Sequence, residues 1–229
     1  NLRFGRSASA PLSPEVHKKF EKTFGVKIIE TMGLTETAAQ ILSNPPHQGK
    51  HGSAGKAYGN EVRLIDDHGN YLPYGKTGEL VIKGENVLLE YFKNEEATSG
   101  AFNDDGYFLT GDLGLMDEDG FFFITGRKKE LIIKGGENIS PREIDDTLYK
   151  HNAVLEACTF GIEDDNYGEE ISACVFLKDN LVANEKELLD LCKADLGEYK
   201  TPSQIIFVDE PLPTGPSGKI QRLKIASQY

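Results

Sequence analysis

The chain has 229 residues, 38% hydrophobic and 27% charged, with a formal net charge of -12; this is an ordinary globular composition with room for one large or two modest domains. The acidic balance excludes nucleic acid as the expected partner, because a phosphate backbone needs a basic surface. No run approaches the ~20 apolar residues that span a bilayer and no signal-peptide pattern opens the chain, so a cytoplasmic protein without a transmembrane segment is expected.

In chain order, Ser13-Pro14 predicts a helix with an N-cap and a proline at its first position. Val16, Phe20 and Phe24 recur at helical spacing and Gly25 ends it. Val26 to Glu30 reads as a short strand, left through Thr31-Met32-Gly33-Leu34-Thr35-Glu36. A glycine, a hydroxyl and a carboxylate then stand at a strand end, where open α/β sheets bind ligands. The plainer alternative is a strand-to-helix turn in which Glu36 favours the helix N-terminus. Ser43 to Gly59 is rich in proline, glycine and polar residues and reads as a connecting loop.

From Val62 to Thr125 the pattern is β, with strands at Val62 to Ile65, Gly78 to Lys83 and Phe121 to Thr125. Turns are expected at Asp67-His68-Gly69-Asn70, Asp105-Gly106 and Asp119-Gly120, giving a small, mostly antiparallel sheet or barrel. Gly75-Lys76-Thr77 is not a phosphate loop: Asn70 stands where its first glycine is required, and a strand follows instead of a helix.

The stretch Tyr107 to Asn138 carries the most chemistry, with Thr110-Gly111-Asp112, Thr125-Gly126-Arg127, a charged link Lys128-Lys129-Glu130 and the pair Gly135-Gly136 in succession. After Arg127 a second domain is expected. Ser140-Pro141-Arg142-Glu143 reads as a capping box whose helix runs to about His151 and buries Ile144 and Leu148. Strands follow at Val154 to Phe160 and Ile171 to Leu177. Asn184 with Glu187 caps a further helix, with Leu188, Leu191, Cys192 and Leu196 on its apolar face, closed by Gly197. Gln204 to Val208 is a strand, and a Pro/Gly loop from Pro211 delivers Lys219 to a short basic C-terminal helix. Cys158, Cys174 and Cys192 form no Cys-x-x-Cys pair and read as small core residues. The five histidines show no ligand spacing and read as surface or turn residues.

Taken in order, Ala8-Ser9-Ala10-Pro11-Leu12, Gly33-Leu34-Thr35-Glu36, Thr110-Gly111-Asp112, Gly126-Arg127-Lys128-Lys129-Glu130 with Gly135-Gly136-Glu137-Asn138-Ile139, and Pro213-Thr214 to Gly218-Lys219 resemble the C-terminal half of the adenylate-forming superfamily. That superfamily includes acyl-CoA synthetases, luciferases and peptide-synthetase adenylation domains. The resemblance covers nearly the whole chain. It implies an α+β fold: the end of an α/β subdomain (1–50) and a β-rich, barrel-like subdomain (51–127), hinged to a small mobile α+β C-terminal lid (128–229).

It also implies a chemistry. A carboxylic acid attacks the α-phosphate of ATP to give an acyl-AMP, and a thiol, that of coenzyme A, then displaces AMP. Asp112 would accept hydrogen bonds from the ribose, and Arg127 would donate to the same sugar. Thr35 would touch phosphate, and Glu36 would hold Mg²⁺, which prefers oxygen ligands. Ser9, Ala10, Thr31, Met32 and Gly33 would line the adenine. Lys219 would place its ammonium where charge accumulates between carboxylate and α-phosphate. Lys129 would be the hinge, and Gly135-Gly136 would border the path of the pantetheine arm. Met32 departs from the family, which usually carries an aromatic ring there, so a thioether contact replaces stacking.

The chain begins at Asn1 without a methionine and reads as a fragment. The family's phosphate loop and most of its acid pocket are expected upstream, so these residues alone are expected not to form acyl-AMP. Thr37 to Pro45 faintly resembles the branch that activates oxalate or other short acids, with fatty acids an equal alternative. Two other readings are an adenylation protein that loads an acyl carrier protein, and a non-catalytic nucleotide-binding module.

Overall fold

A computed structural model describes every residue except Asn1, Pro11 and Ala39, so Pro11 of the Ala8 to Leu12 motif and Ala39 of the Thr37 to Pro45 run lie outside the described residues. The chain separates into two compact units, Asn1–Lys128 and Lys129–Tyr229. None of the described helices is long and apolar enough to cross a membrane.

In the first unit, β1 (Phe4–Ser7) and β2 (Lys27–Gly33) run parallel, joined by helix α1 (Pro14–Phe24). Gly25 closes α1 at φ 65°, a left-handed conformation that costs glycine little. Val16, Phe20 and Phe24 are exposed, while His17 is buried and its Nε2 donates to the Ile28 carbonyl of β2 at 3.1 Å. The helix therefore docks on its polar side, contrary to the sequence pattern, and His17 is no surface residue. Nor does a helix follow Thr31 to Glu36. Thr35–Thr37 is one 3-10 turn, after which β3 (Gln40–Ser43) returns antiparallel to β2. The buried Thr37 hydroxyl donates to the Leu34 carbonyl and accepts from the Leu34 amide, so the local turn satisfies the backbone that a helix would otherwise use. The loop expected from Ser43 to Gly59 contains the short β4 (Lys56–Ala57), paired with β3.

Next come β5 (Glu61–Ile65), β6 (Thr77–Lys83), the short helix α2 (Glu95–Ser99), β7 (Phe108–Met116) and β8 (Phe122–Arg127). The four strands form an open antiparallel meander in the order β5-β6-β7-β8, and the sheet does not close into a barrel. The buried strand β6 anchors it. Leu80 and Ile82 join Leu64 and Phe122 in a core shared with Ile41 and Leu42 of β3, and Val81 packs with Ile65 and Tyr107 in a separate cluster. This shared core ties the two sheets of the first unit together.

The second unit contains a hairpin of β9 (Ile132–Lys134) and β10 (Glu137–Ile139), then helix α3 (Pro141–Leu148) and the long hairpin of β11 (Val154–Asp164) and β12 (Gly168–Leu177). Helix α4 (Glu185–Leu196), strand β13 (Gln204–Val208), parallel to β12, and helix α5 (Arg222–Ala226) complete it. Side chains alternate between the faces of β12, as the pleat requires. Ile171, Ala173 and Val175 join the core of α3 and α4, whereas Cys174 joins Cys158, Phe160, Leu212 and Ile225 of α5. Asn184 and Glu187 cap α4 reciprocally. The capping box expected at α3 is absent: Ser140 makes no side-chain cap bond, and Glu143 pairs with Lys200 at 2.8 Å. That helix ends at Leu148, one turn short of His151.

All three cysteines are free and buried. Burial pushes the thiols up, Cys158 to about 12 and Cys192 to about 11.

One side chain fastens the end of the second unit. Arg222 donates from Nε to Glu130 at 3.1 Å, from Nη2 to Asp145 at 2.9 Å, and from Nη1 to the Thr159 carbonyl. Burial opposes its charge, but Asp145 and Glu130 outweigh that and raise its pKa above the ordinary arginine value. Arg222→Met strands two largely buried carboxylates, so it should lower stability by about 3–5 kcal/mol, read from urea unfolding.

Candidate functional site

The centre of the site is an irregularity in β7. Val81 pairs with Leu109 and Glu79 with Leu113, so Thr110, Gly111 and Asp112 together stand opposite Leu80 alone. Such a bulge leaves backbone groups without ladder partners, and here three of them are met locally. The Thr110 hydroxyl donates to the Leu80 carbonyl at 2.8 Å and accepts the Asp112 amide at 3.0 Å. Gly111 takes φ 70°, and its amide donates to Glu79 at 3.0 Å. Glu79 also receives Lys128 at 3.4 Å, and Lys128 bonds Asp67 at 3.0 Å, which raises the Lys128 pKa.

The bulge brings Asp112 into register with Arg127 on β8. The Asp112 side chain is 6% exposed and that of Arg127 30%; Nε donates to Oδ1 at 2.7 Å and Nη2 to Oδ2 at 3.5 Å. A carboxylate offers about four acceptor sites and a guanidinium five donors, so this pair has the chemistry to grip vicinal hydroxyls.

The parallel pairing of β1 and β2, with Ser7 opposite Glu30, carries the segments beyond both strands to one edge of that sheet. Ser9 and Ala10 follow β1, and Thr31, Met32 and Gly33 end β2. Ser9 adopts φ 73°, a conformation costing a non-glycine residue about 1–3 kcal/mol. Thr31 is buried and its hydroxyl donates to the Ser7 carbonyl at 3.3 Å. Met32 leans on the shared core.

Thr35 is exposed on the turn after β2, and Glu36 beside it is partly buried. The chain beyond β6 clasps this turn: Leu88 donates to the Glu36 carbonyl at 2.7 Å, Asn86 to the Thr37 carbonyl at 2.7 Å, and the Tyr91 hydroxyl to the Glu36 carboxylate at 3.1 Å. Burial, then the Glu36 charge, raises the Tyr91 pKa, so Tyr91 stays a hydrogen-bond donor. An oriented carboxylate beside a hydroxyl is an oxygen donor set of the kind a hard cation such as Mg²⁺ takes. Tyr91 and Glu79 were not legible as site residues. They lie 55 and 32 positions from the groups they hold, and no local motif marks them.

The remaining residues belong to the second unit. Lys129 is its first residue and is exposed. Gly135 and Gly136, at φ 55° and 84°, make the two-residue turn between β9 and β10, the left-handed pair that a tight hairpin favours. The Gly135 amide donates to the Tyr167 carbonyl at 2.8 Å, the Tyr199 hydroxyl donates to the Lys134 carbonyl at 2.5 Å, and Lys134 pairs with Glu170 at 2.5 Å. Lys219 stands on the return arm of a closed turn. Gly215 donates to the Lys219 carbonyl at 2.8 Å, Gly218 to the Gly215 carbonyl at 2.9 Å, and Thr214 pairs with Ile220.

Comparison with known proteins fits this arrangement. The family profile described as AMP-binding enzyme matches residues 1–92, and that of the AMP-binding enzyme C-terminal domain matches 143–219. The chain is 50% identical over 226 residues to sulfoacetate–CoA ligase of Cupriavidus necator, covering 98% of itself and 44% of that protein. It is 42% identical over 232 residues to oxalate–CoA ligase of Saccharomyces cerevisiae, covering 100% of itself and 42% of that protein. Among solved structures, ATP-bound MatB from Rhodopseudomonas palustris is 35% identical with a TM-score of 0.92, over 99% of this chain and 45% of that one. The chain thus spans less than half the length of the relatives it matches.

The hairpin glycines should differ in tolerance. A Cβ on Gly136 meets nothing within 4 Å, whereas one on Gly135 comes 3.0 Å from the Tyr199 hydroxyl. Gly136→Ala should cost about 1–2 kcal/mol from backbone strain alone, and Gly135→Ala distinctly more, both measured by chemical denaturation.

Proposed function

The chain belongs to the AMP-binding enzyme family, and from that premise we propose that it provides the ribose-gripping and lid portions of an ATP-dependent ligase joining a short carboxylic acid to coenzyme A. The observation that carries this reading is the buried Asp112, delivered by the β7 bulge onto Arg127. In the first half-reaction a carboxylate oxygen bonds to the α-phosphorus of ATP as the bond to pyrophosphate breaks. In the second, the CoA sulfur bonds to the acyl carbon, AMP leaves, and the thiol proton passes to solvent.

Asp112 accepts from the ribose hydroxyls while Arg127 holds its orientation and charge and donates to the same sugar. Ser9, Ala10, Thr31, Met32 and Gly33 line the adenine, with the strained Ser9 backbone as part of that loop. Thr35 contacts phosphate. Glu36, oriented by Tyr91, would hold Mg²⁺, which supplies charge neutralisation on the phosphates when bound. Lys219 carries the positive charge that the first half-reaction needs, Gly135-Gly136 admits the pantetheine arm close to backbone, and Lys129 at the unit boundary is the hinge.

The acid is proposed to carry a second anionic group. The relatives' names support this, since they act on sulfoacetate and oxalate, and a fatty acid is the poorer fit. CoA is proposed as acceptor in preference to a carrier protein because those relatives are CoA ligases.

Calorimetric titration with AMP tests the ribose grip. Asp112→Asn keeps the shape and removes the charge, and should weaken binding about tenfold to a hundredfold, the value of one or two charge-assisted hydrogen bonds. Unchanged affinity would remove Asp112 from the site.

In the ligase, ATP–pyrophosphate exchange with oxalate, sulfoacetate and hexanoate should rank the two dianions first; preference for hexanoate would overturn the acid assignment. Lys219→Met should depress that exchange roughly 100-fold or more while leaving AMP affinity intact.

A further inference from the structure

A second cluster of polar side chains lies on the first unit, built from residues that the ligase reading does not use. His17 and Glu21 stand one turn apart on α1, and His51 arrives from the loop between β3 and β4. One potential ligand atom from each lies within 4.8 Å of the other two. The two imidazoles meet edge to face, with centroids 4.4 Å apart.

Three features separate this cluster from an ordinary surface hydrogen-bond network. First, the His17 Nε2 to Ile28 carbonyl bond fixes the ring, the kind of backbone contact that commonly orients a ligating histidine. Because a carbonyl only accepts, the proton sits on Nε2, and the His17 Nδ1 lone pair is buried without a hydrogen-bond partner. Second, His51 Nε2 lies 3.2 Å from a Glu21 oxygen. Two ligands at the Zn–N and Zn–O lengths of about 2.0–2.1 Å stand roughly 3.3 Å apart in a tetrahedron.

Third, the carriers are fixed. Asn44 accepts the Lys50 amide at 2.9 Å and donates to the Glu30 and Ser53 carbonyls, while Lys50 pairs with Asp117 and Asp119. His51 therefore follows from a braced loop. A hollow of about 190 Å³ opens beside the three side chains, with His47 also on its wall. Lys27 contacts Glu21 at 2.8 Å, but its side chain is 67% exposed and can turn outward to make way for a cation.

We propose that His17, Glu21 and His51 bind a divalent transition ion of the zinc type, with water from the hollow as its exchangeable fourth ligand. Two imidazoles and one carboxylate are a donor set suited to such an ion and poorly suited to Mg²⁺. His17 ligates through Nδ1 while its Nε2 proton stays on the Ile28 carbonyl, and His51 carries its proton on Nδ1 when Nε2 ligates.

The test is equilibrium dialysis of the chelator-treated full chain against Zn²⁺, with Co²⁺ as a spectroscopic substitute. The expected result is saturable uptake of one ion per chain and a strong visible Co²⁺ spectrum of four-coordinate type. Since loss of supporting partners alone costs metal sites about 10- to 100-fold, His51→Ala and Glu21→Gln should each weaken binding by at least that much. Both variants should keep their circular dichroism, and Zn²⁺ should raise the melting temperature of the wild type but not that of His51→Ala. No saturable uptake, or uptake by His51→Ala equal to wild type, would overturn the site.

Discussion

A carboxylate side chain only 6% exposed remains charged only if the fold brings a cation to it, and the first unit meets this condition at Asp112 and Arg127. The rest of the local architecture follows from that requirement. To bring the carboxylate to the arginine, β7 must carry extra residues, and those residues must find partners away from the ladder. Thr110, Glu79 and the left-handed Gly111 provide them. Because the same Glu79 binds Lys128, the bulge also anchors the last residue of the unit.

The second unit uses the same economy of charge at a different place. Arg222 collects two carboxylates and a backbone carbonyl from the turn before β9, from α3 and from β11. The short helix α5 could not hold itself by helical hydrogen bonds alone. Its arginine, together with Ile225 in the core, docks it, and the turn that bears Lys219 is thereby fixed at its C-terminal end.

Much of this was legible wherever sequence signals were local. Pro14 with Gly25, Asn184 with Glu187, the Asp-Gly turns and the apolar run of β13 all act through neighbours in the chain, and each appears where its chemistry places it. The motifs of the candidate site are contiguous, so they too could be proposed from the chain alone. What escaped depends on distance along the chain. β7 was missed because Gly111 and Gly114 interrupt its alternation, although that interruption is where the bulge carrying Asp112 forms. The helix expected after Glu36 gave way to a turn that Thr37 closes with its own hydroxyl. At α1 the apolar repeat misled: a buried histidine faces β2, and the phenylalanines face outward. Tyr91 carries no motif, and its role emerges only when the chain beyond β6 folds over Glu36.

The burial of the cysteines bears on the chemistry of the proposed thioester-forming step. An acyl-adenylate is a strong acylating agent, and a protein that handles one is exposed to capture by its own nucleophilic sulfur. Here every sulfhydryl of the chain is buried, and burial holds each in its neutral, less reactive form at physiological pH. Under the proposed ligase reading, this burial keeps the chain's own sulfur from competing with the acceptor thiol.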